Sequence, residues 1–192
     1  MILVDPRAGS KDLLAPLRAM GLPAESRMLE FGDLAWVAHG QYGEVRVGVE
    51  HKTIGDCIAS LRSNRLAGHQ LPGMQATYAH RWLVVEGIWG VDAAGRVTLL
   101  RKGTTPPTMS SAELEERLIT LEMLGGLHVL RTPDRVATLH ALAALYRWWT
   151  DKALDAHSSH LATYHPERAT PLSQFRQTVM TLPGVGKLTS ER

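Results

Sequence analysis

The chain is expected to fold as an α/β sandwich, because short apolar segments with strand character alternate with segments of helical periodicity along most of its length. Two further observations point the same way. Val45 to Lys52 follows a polar turn and reads as one extended strand, and Gly or Pro punctuates nearly every junction between segments.

The elements follow in order. Ile2–Val4 is a short apolar strand, Lys11–Met20 an amphipathic helix closed by Gly21, and Ala24–Leu29 a lead into a hairpin. In that hairpin Ala35–His39 pairs with Val45–Glu50 around Gln41-Tyr42-Gly43. Ile54–Ser63 and Leu71–Ala79 read as helices, and Trp82–Glu86 as a buried strand. Ile88–Val91 and Val97–Leu99 form a small inserted hairpin around Ala93-Ala94-Gly95, and Arg101–Met109 is a basic, Thr- and Pro-rich loop expected to be mobile. Ser110 and Glu113 cap a helix running to Leu124, which Gly125-Gly126 ends. Val129–Arg131 is the last strand, and Thr132-Pro133 opens a helix whose Trp148-Trp149 pair packs it onto the core.

At 192 residues the chain holds one ordinary domain and a small appendage. The division is expected at residues 1–150, with a linker over 151–172 and a short helical segment over 173–192. His157 and His160 fall in the linker and read as solvated. No stretch is apolar enough to span a bilayer, and Met1 to Asp5 runs into a charged segment without a secretory signal. An intracellular protein is expected: cytoplasmic or nucleoid-associated, or nuclear in a eukaryote. The single cysteine, Cys57, excludes an intramolecular disulfide and reads as a buried thiol. A net charge of +2 is too small for a nucleic-acid coat, so contact with a polyanion would depend on local clusters such as Arg62, Arg65, Arg101, Lys102 and Lys187.

The chemistry concentrates at Val49-Glu50-His51-Lys52-Thr53-Ile54-Gly55-Asp56, downstream of Gly32-Asp33. On a strand, Glu50 and Lys52 share a face while His51 points the other way. Pairing of the hairpin lets Asp33 supply a second carboxylate. Two carboxylates make an oxygen-rich cradle for a hard cation, Mg2+ or Mn2+. Phosphodiester hydrolysis needs such a cation to activate water, and an ammonium to offset charge developing on the phosphate. Each residue also has a plainer reading. Thr53 and Asp56 suit a capping box, Asp5 a helix cap near Ser10, and Arg65 and Gln70 a polar helix surface.

An Asp followed one hairpin later by Glu-x-Lys is the pattern of the PD-(D/E)xK nucleases, and the flanking residues extend it. Val4-Asp5-Pro6-Arg7, Gly32-Asp33, Val49-Glu50-His51-Lys52 with Asp56, Ser60-Leu61, Arg65-Leu66, Gln70 and Val84-Val85-Glu86 together resemble the nuclease domain of the XPF family of structure-specific endonucleases. The resemblance covers residues 1 to about 150. It implies a restriction-endonuclease-like central mixed sheet flanked by helices. It also implies Asp33, Glu50, Lys52, Asp5 and Asp56 as catalytic residues, and a cation held by Asp33, Glu50 and the backbone carbonyl of His51. Two positions depart from the family pattern: Ala8 stands for its usual Glu, and His51 for the Arg of Glu-Arg-Lys.

Leu182-Pro183-Gly184-Val185-Gly186-Lys187 resembles the hairpin of a helix-hairpin-helix motif, whose glycines let backbone N–H groups approach a phosphate. Arg62, Arg65, Gln70, Gly184, Gly186 and Lys187 are therefore the candidate DNA-binding residues. The expected activity is metal-dependent endonucleolytic cleavage of branched, flap or junction DNA; the resemblance also implies paired nuclease domains, as in a homodimer, while the residues themselves leave dimerisation open. The alternatives are a catalytically inactive DNA-binding scaffold, or a junction resolvase or recombination-linked exonuclease on the same fold.

Overall fold

The computed structural model describes residues 1–99, 109–152, 154, 156 and 157. The chain divides after Asp155 into two units, Met1–Asp155 and Ala156–Arg192, and every element named below belongs to the first.

The strands are β1 (Ile2–Val4), β2 (Ala24–Ser26), β3 (Leu34–Gly40), β4 (Gly43–Thr53), β5 (His80–Glu86), β6 (Trp89–Val91), β7 (Val97–Leu99) and β8 (Leu127–Thr132). The helices are α1 (Leu14–Ala19), α2 (Ile54–Arg62), α3 (Leu71–Thr77), α4 (Ser111–Met123) and α5 (Arg135–Thr150). Six strands form one mixed sheet in the order β2-β1-β3-β4-β5-β8, while β6 and β7 pair separately as the inserted hairpin. Here β1–β3 and β3–β4 are antiparallel, and β1–β2, β4–β5 and β5–β8 parallel.

The period of two divides the core between two faces. Val47 and Val49 of β4 and Val84 of β5 pack with Leu17 of α1 and Leu142 of α5. On the opposite face Leu83 and Val85 of β5 pack with Ile58 of α2, Met74 of α3 and Leu118 of α4. Three side-chain caps fix helix starts: Thr53, Ser110 and Asp134 accept from the N–H groups of Asp56, Glu113 and Ala137. Trp149 is buried with its ring 4.2 Å from that of His80, so the end of α5 does pack onto the sheet. Cys57 is buried, and burial pushes its thiol up to about 11. No helix among the described residues is long and apolar enough to cross a membrane.

Some local expectations are corrected. The helix expected over Lys11–Met20 is a 3-10 turn, Lys11–Leu13, followed by the shorter α1, because Pro16 has no N–H to continue an α-helical ladder back to Asp12. The helix expected at Leu71 is preceded by a π-type turn, Leu66–Gln70, and stops at Thr77 as Tyr78 turns extended. Met109 belongs to the core rather than to a mobile loop: it is 1% exposed and its carbonyl accepts from Val97 N–H. His157 is buried, not solvated. Residues 100–108, His160 and the C-terminal Gly184, Gly186 and Lys187 lie outside the described residues.

Candidate active site

The site forms where one strand pairing ends. The β3–β4 ladder closes at Leu34 and Val49, with Asp33 N–H donating to the Val49 carbonyl, while β4 continues to Thr53 against β5 alone. Beyond Val49, β4 therefore has an unpaired edge. His51 N–H on that edge is taken by Asp33 Oδ2 at 2.7 Å. The N–H and C=O of one strand residue project to the same side, so the His51 carbonyl also leaves β4 toward Asp33.

Glu50 and Lys52 emerge on the α2–α4 face at the foot of a cleft of about 450 Å³. Lys52 Nζ lies 2.8 Å from Glu50 Oε1, and both side chains are almost fully buried. Gln70, carried in by the π-type turn, donates Nε2–H to the same Glu50 oxygen at 2.6 Å. Its own Oε1 is buried without a hydrogen-bond partner, an acceptor left open beside the carboxylate. Burial, and after it the negative charge of Glu50, pushes the Asp33 carboxyl up to about 6, against the stabilising His51 N–H and Lys52.

Asp33, Glu50 and the His51 carbonyl make a donor set of hard oxygens. Among the described residues no group of three or more His, Cys, Asp and Glu side chains gathers into a metal cluster. Two carboxylates and a carbonyl suit a cation that keeps several waters, as Mg2+ does, and not one that needs a full protein cage. The mutual cost of the paired carboxylates and the open Gln70 acceptor both fit such an occupant.

The family model of the ERCC4 domain matches residues 4–145. The chain belongs to the ERCC4-domain family. This ERCC4 domain is similar to XPF from Aeropyrum pernix at 20% identity, over 99% of this chain and 77% of that one, with a TM-score of 0.57. It is similar to XPF from Aeropyrum pernix in complex with DNA at 21% identity, over 100% and 78% of the two chains, with a TM-score of 0.58. These likenesses establish the restriction-endonuclease-like fold. No curated protein matches the chain.

Within the ERCC4 domain, Asp33, Glu50, His51, Lys52, Asp56, Arg65 and Gln70 all line the cleft. Asp56 also serves the cap: its N–H donates to Thr53 Oγ1 at 3.2 Å, and its carboxylate accepts from that hydroxyl at 2.6 Å. Arg65 is exposed at the mouth and donates to Ser60 Oγ at 3.3 Å. Arg62 is exposed in the last turn of α2 and is not among the cleft residues.

The structure does not bring Asp5 into the cleft, nor does Asp5 cap a helix. It is fully buried, accepting from Arg7 N and Nε at 2.9 and 2.6 Å and from Leu29 N at 2.8 Å. Burial pushes its carboxyl up, but the Arg7 guanidinium and the two backbone donors outweigh this and leave it below the usual range. Asp5 thus holds Arg7, which does line the cleft.

Arg7, Glu30, Phe31 and His69 are cleft residues that the sequence reading did not select. Their signal was adjacency: Glu30-Phe31 precedes Gly32-Asp33, His69 precedes Gln70, and Arg7 stands two residues after Asp5.

Proposed function

We propose that this ERCC4 domain is a divalent-metal-dependent endonuclease that hydrolyses phosphodiester bonds in branched or otherwise structured DNA. The observation that carries the reading is the meeting of Asp33 with the buried Glu50–Lys52 pair in one open cleft. Membership of the ERCC4-domain family and the fold shared with a structure containing DNA support it.

Asp33, Glu50 and the His51 carbonyl would hold Mg2+ or Mn2+. When bound, the cation supplies Lewis-acid polarisation of the phosphoryl oxygen and a lowered pKa for water. Lys52, fixed by Glu50, orients the attacking water and offsets charge developing on the phosphate. Gln70 holds Glu50 in a single orientation through Oε1, so that its carboxylate would be available to the cation. Arg7, Arg65 and Asp56 border the path to this point, and the two arginines, with Arg62 farther along α2, give sequence-independent phosphate contacts. Hydrolysis is direct, with no covalent intermediate.

One observation favours a second reading, a DNA-binding scaffold without cleavage: Ala8 lines the cleft where the resembling family carries Glu, so the site has one carboxylate fewer. Labelled duplex, single-stranded, flap, splayed-arm and four-way DNA, each with Mg2+, Mn2+ or EDTA, separates the two. Cation-dependent cleavage that Glu50→Gln removes supports the nuclease. DNA binding without cleavage under every cation establishes the scaffold.

A further inference from the structure

The cleft side chains project from one face of β4, and a second polar cluster lies on the other. There the His51 ring, its side chain 5% exposed, meets Glu86 at the end of β5, with Nε2 3.0 Å from Oε2. Arg135, at the start of α5, places Nη1 3.7 Å from the same carboxylate oxygen. A buried imidazole requires such a partner, and Glu86 supplies it across the β4–β5 pairing.

His51 also meets the cleft from its backbone, donating its N–H to Asp33 Oδ2. Past Val49 the β4 edge has no β3 ladder, so the Asp33 carboxylate is its link to that side. Residue 51 is therefore clamped twice, by its ring to Glu86 and by its amide to Asp33. A rotation of β4 about its axis that frees the ring also swings the amide off Asp33. The same rotation displaces the flanking Glu50 and Lys52.

We infer that Glu86 is a positioning residue for the cleft: acting through the His51 ring from the opposite sheet face, it sets the rotation of the β4 end that presents Glu50 and Lys52 and binds Asp33. It touches no reacting atom.

Hydrogen exchange at the amide of residue 51, followed by NMR, tests this without reference to activity. In Glu86→Leu its protection falls by at least about tenfold while that of Val84 holds. In Glu86→Gln, which keeps an acceptor for the imidazole, protection stays within about threefold of wild type. Should Glu86→Leu not fold, His51→Leu and His51→Gln carry the same test, the amide losing protection in the first and keeping it in the second. Unchanged protection in Glu86→Leu, or equal protection in that His51 pair, overturns the inference.

The activity arm rests on the nuclease reading. Glu86→Leu lowers kcat by about 10- to 100-fold with little change in KM for DNA, and Glu86→Leu/His51→Leu is no worse than His51→Leu alone. Losses that multiply in the double variant show that Glu86 acts by another route and overturn the inference. If wild type never cleaves DNA while the exchange result holds, the nuclease reading fails and the positioning role stands.

Discussion

Lys52 Nζ sits 2.8 Å from Glu50 Oε1, and each of these charged side chains is only 5% exposed. A buried ion pair of this kind adds little net stability, because desolvation of both charges offsets their attraction. It stands at the foot of the cleft that Asp33, Asp56 and Gln70 also line.

Removing one partner is therefore costly, and removing both much less so. Lys52→Met leaves Glu50 buried with Gln70 as its remaining donor, and is expected to lower stability by about 3 kcal/mol. Glu50→Leu/Lys52→Met recovers most of that loss. Urea unfolding of the three proteins checks both statements, and on the proposed nuclease function both variants are expected to lose cleavage by orders of magnitude.

The Asp33 carboxyl is raised from the usual 3.8 to about 6 in the folded chain, so binding of the proposed cation is expected to depend on pH. Below about 6 the proton competes with the cation, so apparent Mn2+ affinity rises about tenfold per pH unit and flattens above it. Without cation the sign reverses for stability. The folded state holds this proton more tightly than the unfolded state, so stability falls as pH rises from 3.8 to about 6. Calorimetric Mn2+ titrations and cation-free melting curves across this range show both trends, and Asp33→Asn removes them.

Gln70 bears on the orientation of Glu50 more than on folding. Gln70→Met keeps the volume but removes the 2.6 Å donor, and the loss of a group that orients a ligand is worth about 10-fold or more in activity. Steady-state cleavage at saturating DNA should fall by that factor while the melting temperature changes little.

Gly48 makes room for Tyr78, whose hydroxyl donates to the Phe31 carbonyl at 2.6 Å and pins the turn before Asp33. A Cβ at position 48 would overlap the Tyr78 ring. Gly48→Ala should cost about 2 kcal/mol in urea unfolding, as overpacking of a filled site does. Tyr78→Phe, losing one hydrogen bond, should cost about 1 kcal/mol. Gly48→Ala should also lower cleavage, because the ring cannot move without loosening the Asp33 turn.

Properties local to the backbone were legible in the residues. Alternation along Val45 to Lys52 set Glu50 and Lys52 on one face and His51 on the other, since a strand repeats every two residues whatever surrounds it. The Thr53–Asp56 cap was equally readable, because its partners lie three residues apart. The C-terminal hairpin reading falls on residues that the structure does not describe.

The sequence alone thus determined the alternating α/β order, the hairpin, and which side chains share the cleft face. The tertiary structure decided what each group binds. The Asp33–His51 bond spans 18 residues, the Gln70–Glu50 bond 20 and the His51–Glu86 pair 35. It also turned Asp5 away from the cleft to hold Arg7 and Leu29. The physical reason is that spacing determines only the direction of a side chain. Its partner depends on where a neighbouring strand stops and which loop fills the space beyond, and those follow from packing the whole sheet.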